Sequence, residues 1–129
     1  LTPIDRRLGI PPLVFDRTAD HFGEDTLEGF LLNMTGSIEA ARRLRGTERT
    51  LDSLGRELRL LRETYRDTPF EGDLRARVQT LAAVIPEADR IVPAAAQRRA
   101  WEALSVTPVS TGEPHWCPAA LQKAIDGKI

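Results

Sequence analysis

Apolar residues recur at helical spacing through most of this 129-residue chain. Leu27, Phe30, Leu31, Met34, Ile38 and Ala41 form the stripe of an amphipathic helix. Asp25 or Thr26 caps its start and Gly46 ends it after about Arg45. Gly29 and Gly36 weaken its interior, and Gly36 marks a bend. A second stripe follows: Leu51, Leu54, Leu58, Leu61 and Tyr65 step by three and four, a heptad seam on a helix from Thr47 to about Arg66. The seam covers two heptads, fewer than a true coiled coil needs. The short link at Gly46 and Thr47 predicts an antiparallel helical hairpin.

The flanks are read from their punctuation. Thr2 and Pro3 open a first turn that runs through Leu8 and stops at Gly9. Pro11 and Pro12 predict an extended link, with Leu13, Val14 and Phe15 as an apolar plug. Asp67, Thr68 and Pro69 break the chain. Phe70 and Asp73 introduce a third helix with the stripe Leu74, Val78, Leu81 and Ile85, stopped by Pro86. Pro93 opens a fourth helix to about Leu104. Ser105 to His115 reads as loop, and a strand at Val106 to Val109 would need a partner. Pro118 starts a last short helix closed by Gly127, with Trp116 pinning the tail. The expected fold is all-α: a compact bundle of about five helices around a central antiparallel hairpin. One domain is expected over 1–129, with a lead-in at 1–24, a helical core at 25–104, and a loop plus C-terminal helix at 105–129.

Composition narrows the class. With 41% hydrophobic and 29% charged residues, the chain can bury a core and is not a disordered polymer. No apolar run is long enough to cross a membrane as a helix. Cys117 is the single cysteine, so an intrachain disulfide is excluded. Together with His21 and His115 it offers too few ligands for a closed zinc site. The expected location is the cytoplasm. The chain begins at Leu1, so a removed targeting signal would leave no trace.

Of eighteen basic residues only Lys123 and Lys128 are lysine. That arginine bias fits a GC-rich bacterial genome as well as anion recognition. Residues 1–40 carry seven acids against three arginines, and residues 41–66 carry eight arginines against four acids. The two segments are therefore expected to face each other, within the chain or across a dimer. Arg42, Arg43, Arg45 and Arg49 surround the hairpin turn, and Arg56 and Arg59 continue along the second helix. These six are the expected partner-binding residues.

Motifs for catalysis are absent. No G-x-S-x-G elbow, P-loop or G-x-G-x-x-G occurs. Asp16, Asp20, His21, Glu24, Asp25 and Glu28 form an acidic cluster without metal-site spacing. Cys117 sits at a helix start beside His115, where a thiol can be activated. The expectation is accordingly a non-enzymatic protein-interaction module with an adaptor, regulatory or assembly role. It acts through a protein partner or self-association, with no catalytic residue, metal, cofactor or small-molecule substrate. The runner-up is nucleic-acid binding, including DNA, through the arginine cluster. The third reading is an enzyme using the acidic cluster or Cys117.

Overall fold

The computed structural model describes residues 4–46, 49–66 and 82–127. Six helices and two strands occur among them: α1 (Pro12–Asp20), α2 (Glu24–Thr35), α3 (Ile38–Arg45), α4 (Leu51–Tyr65), β1 (Val84–Pro86), α5 (Ala94–Ala103), β2 (Val109–Thr111) and α6 (Pro118–Ile125). The predicted cap at Thr2 and Pro3, the start at Thr47, and the third-helix residues Phe70, Asp73, Leu74, Val78 and Leu81 lie outside the described residues.

The two strands correct the all-α expectation. β1 and β2 pair in parallel, with Val84 opposite Val109, Ile85 opposite Ser110 and Pro86 opposite Thr111. Ile85 therefore closes no helical stripe; it is a fully buried strand residue. Parallel neighbours cannot be joined by a tight hairpin and need a crossover, which α5 supplies. The backbone pairing extends past both ends: Val109 N–H donates to Ala83 O at 2.9 Å, and Glu87 N–H to Thr111 O at 2.8 Å.

Other elements differ from expectation for local reasons. Of the turn predicted up to Leu8, the described residues 4–8 are not helical. Asp5 accepts from the Arg7 and Leu8 N–H groups at 2.6 and 2.7 Å, and Ile4 bridges to Ile10. Pro11 and Pro12 do not extend the chain but start α1. Pro12 occupies the first helical position, where its fixed φ suits the helix and its missing N–H costs nothing. The predicted 25–45 helix is split. Gly36 adopts φ 68° and ends α2, and Ser37 caps α3 by accepting from Ala40 N–H at 3.1 Å. α2 and α3 then fold against each other, whereas α4 lies on α1. The central hairpin is corrected accordingly. α4 itself follows the predicted seam, capped by Thr50, whose hydroxyl accepts from Ser53 N–H.

Packing is divided among small clusters. Ile4, Ile10, Phe15 and Ala19 pack with Leu58, Ile91 and Val92. Leu27, Leu31 and Ala41 pack with Phe22, Phe30, Leu44, Leu51 and Leu54. Ala83, Leu104 and Val106 pack with Trp101. The acidic head does meet the basic middle: Asp20 pairs with Arg62 at 2.5 Å, Asp16 with Arg66, and Glu24 with Arg45.

Gly36 has a positional role. A Cβ there would lie 3.3 Å from Pro114 Cβ, on the loop that leads to α6. Gly36→Ala is expected to destabilise the fold by about 1–2 kcal/mol, the cost of a left-handed L-residue. Urea unfolding measures it, and an unchanged midpoint would show that Pro114 and the turn relax freely.

Candidate functional site

β1 and β2 run side by side, so the segments leaving their carboxyl ends emerge together. Asp89 lies three residues beyond β1, and His115 lies four residues beyond β2. His115 Nδ1 is 2.9 Å from Asp89 Oδ2. The sequence spaces these residues twenty-six positions apart, and the parallel register closes that gap.

Asp89 is held from every side. Its side chain is 1% exposed. Oδ1 accepts the Ile91 and Val92 N–H groups at 2.7 and 2.9 Å. Oδ2 accepts from Gln97 Nε2 at 2.8 Å as well as from His115. Burial pushes its carboxyl up, but the donors from His115, Val92 and Ile91 outweigh burial and leave it below the usual carboxylate range. Asp89 is therefore an anion, which only accepts hydrogen bonds. That assigns the Nδ1 proton to His115 and makes Nε2 the ring nitrogen that Asp89 does not engage.

The loop around His115 is anchored independently. Trp116 N–H donates to Met34 O at 2.8 Å, and Ala88 N–H to Glu113 O at 3.2 Å. Glu87 accepts from Ser110 Oγ at 2.6 Å and from Arg98 of α5. The Ser110 and Arg98 hydrogen bonds lower the Glu87 carboxyl pKa. This ion pair ties the carboxyl ends of both strands to the crossover helix.

His115 lines a cleft of about 360 Å³. Its walls are mostly apolar, with Phe15, Phe30, Met34 and Leu58 among them and Arg90 at the site. The hydroxyl of Thr18, also in the lining, is committed to Val14 O at 3.0 Å.

The sequence-based candidates fall elsewhere. Arg43 pairs with Glu39 at 2.5 Å, Arg45 with Glu24, Arg49 with Glu57, and Arg56 with Asp52 at 3.0 Å, all substantially exposed. Arg59 lies over Gly55, and Arg42 is in the last turn of α3. None of the six lines the cleft beside His115. The acids Asp16, Asp20 and Glu24 are engaged by arginines, and the Arg62 hydrogen bond lowers the Asp20 pKa. Among the described residues no group of three His, Cys, Asp or Glu side chains converges on a metal position.

Cys117 is buried at the start of α6. Burial pushes its thiol up, and the charges of Glu113 and Asp89 push it further. Native Cys117 is expected to react with iodoacetamide at least about tenfold more slowly than in the unfolded chain, because the thiolate is the reactive form. Equal rates in the two states, followed by mass spectrometry, would contradict this.

Sequence reasoning weighed His115 as one of too few zinc ligands and as a base for its neighbour Cys117, and passed over Asp89 as a functional residue. The available signal was an acid and a histidine, each just beyond a short apolar run containing a β-branched pair or a valine.

No protein-family model matches the chain. It is similar to the malonyl-(acyl-carrier protein) O-methyltransferase of Bacteroides fragilis (strain 638R), at 31% identity over 102 residues, 78% of this chain and 20% of that enzyme. Its structure resembles the crystal structure of BioG from Haemophilus influenzae, with a TM-score of 0.76 at 24% identity over 90% of this chain and 52% of that one. The chain thus spans about half the length of the solved structure and a fifth of the curated relative. The structural likeness shows a Rossmann-like α/β fold and, with the parallel strands, overturns the all-α bundle. The expected non-enzymatic adaptor, regulatory or DNA-binding role is corrected as well. The relative is an enzyme by name, which speaks against that role. No described helix is long and apolar enough to cross a membrane.

Proposed function

We propose that this chain supplies the acid–base half of an acyl-ester hydrolase site, with His115 as general base and acid and Asp89 as the residue that orients it. The carrying observation is the 2.9 Å contact between His115 Nδ1 and a buried Asp89 carboxylate at the carboxyl ends of adjacent parallel strands. Ligand sites of open α/β sheets form at those strand ends. In nucleophilic hydrolases of this class the acid precedes the histidine in the chain, and the nucleophile precedes both. The order Asp89 then His115 fits that sequence. At the cleft, Thr18 is bonded to its own helix, and burial raises the pKa of the neighbouring Cys117 thiol, so the nucleophile is assigned to a segment outside the described residues.

The chemistry follows from the geometry. His115 Nε2 takes the proton from the nucleophile's hydroxyl as its oxygen adds to the ester carbonyl. The resulting imidazolium is stabilised by Asp89 across Nδ1–H. When the carbon–alkoxide bond breaks, His115 returns the proton to the departing alcohol, leaving an acyl-enzyme. A water molecule repeats the cycle, loses its proton to Nε2, and releases the carboxylic acid. The apolar cleft beside His115 accommodates the acyl chain.

The similarity to a malonyl-(acyl-carrier protein) O-methyltransferase supports an acyl group borne by a carrier protein as substrate, and its methyl ester as the bond cleaved. The exposed guanidinium groups of Arg42, Arg43, Arg45, Arg49, Arg56 and Arg59 are then the surface assigned to that protein partner. The relative's name favours a second reading, methyl transfer onto such an acyl group. That reading gives the buried Asp89–His115 pair no defined part.

A fluorophosphonate probe tests the first reading. The probe phosphonylates an activated nucleophile with loss of fluoride. In the full-length protein it is expected to label one nucleophile outside the described residues, and labelling is expected to fall on His115→Ala. No labelling of the wild-type protein, or labelling independent of His115, would overturn the proposal.

A further inference from the structure

We infer that Gln97 is a positioning residue for the Asp89–His115 pair; the inference rests on the hydrolase reading for its catalytic consequence. Gln97 projects from the second turn of α5 back onto the loop that follows β1. Its Nε2 donates to Asp89 Oδ2 at 2.8 Å and to Val92 O at 2.9 Å. Both acceptors demand the nitrogen, so the amide has one orientation. A reversed amide would set its oxygen against a carboxylate and a carbonyl.

The bond to Asp89 completes its coordination. Ile91 and Val92 N–H groups hold Oδ1 and thereby tether one end of the carboxylate. The other oxygen would be free to rotate about that tether with only His115 to meet it. The Gln97 donor fixes the plane of the carboxylate from the opposite side, so that Oδ2 stays aimed at Nδ1. The second Gln97 bond, to Val92 O, braces the same loop that supplies the Oδ1 donors. One amide therefore secures both the acceptor and its cradle. The cost of losing such a supporting partner is felt at the histidine, not at the substrate.

The test reads the hydrogen bond directly. In the full-length wild-type protein, the His115 Nδ1–H proton is expected as a low-field, slowly exchanging resonance in NMR. Gln97→Met keeps the side-chain length and removes both donors. It is expected to speed exchange of that proton at least about tenfold and to lower kcat for ester hydrolysis about tenfold with KM unchanged. Gln97→Lys restores a donor and is expected to recover the resonance. Should the methionine variant not fold, Gln97→Leu replaces it, a smaller apolar side chain that also lacks both donors, with the same loss expected. An unchanged resonance in Gln97→Met, or failure of Gln97→Lys to recover it, would overturn the inference. Failure of the hydrolase reading is distinguishable: the wild-type protein would then not hydrolyse the ester, or would do so independently of His115, while the resonance still depended on Gln97.

Discussion

His115→Ala is expected to lower kcat for ester hydrolysis by about ten-thousand-fold, the scale on which a triad-type base acts. The side chain is partly exposed at the cleft, and its described hydrogen bond is the one to Asp89. Its removal leaves the Trp116–Met34 and Ala88–Glu113 backbone contacts in place. Thermal stability is therefore expected to change little while activity collapses. That separation, measured by steady-state hydrolysis beside a melting curve, marks a residue used for chemistry. Parallel losses of activity and stability would place His115 in the scaffold.

Asp89 should behave differently, because it serves both chemistry and structure. Asp89→Asn keeps the shape but presents an N–H or a weaker acceptor to Nδ1, which disturbs the tautomer; about ten-thousand-fold in kcat is expected. Asp89→Ala additionally strips the Ile91 and Val92 N–H groups and the Gln97 amide of their acceptor. Each buried donor left unsatisfied costs about 1–3 kcal/mol, so the alanine variant should also unfold at markedly lower denaturant. An alanine variant as stable as wild type would contradict the cradle described here. The pH dependence has a fixed sign. A carboxyl whose folded pKa is depressed contributes stability that is present above the unfolded carboxylate range. That stability is lost as pH falls through the folded value. Acid should therefore loosen the loop after β1.

Much of the helical framework was legible in the sequence. The seam from Leu51 to Tyr65 is α4, Pro93 introduces α5, and Pro118 starts α6. These segments announce themselves through local signals: spacing, proline position and caps. The facing of acidic and basic segments was legible too, as the Asp20–Arg62 pair shows. The strands were not. β1 is three residues long and ends in proline, and Ile85 falls at helical distance from Leu81. Nothing in a three-residue run distinguishes a buried parallel strand from the end of a helix. Its partner is reached only through the crossover, so the pairing is non-local. The site inherits that difficulty. Asp89 and His115 meet because β1 and β2 are adjacent and parallel, and neither neighbourhood carries a catalytic motif. Gly36 is a smaller instance: its bend was legible, but the full break needed Ser37 as a cap and Pro114 as a neighbour.

The most direct measurement gives the full-length protein a methyl ester of an acyl group on its carrier protein and follows methanol. Methanol release is expected from the wild-type protein and none above background with His115→Ala. No release from the ester, with methyl transfer to the free malonyl carrier from a sulfonium donor unaffected by His115→Ala, would contradict the hydrolase reading.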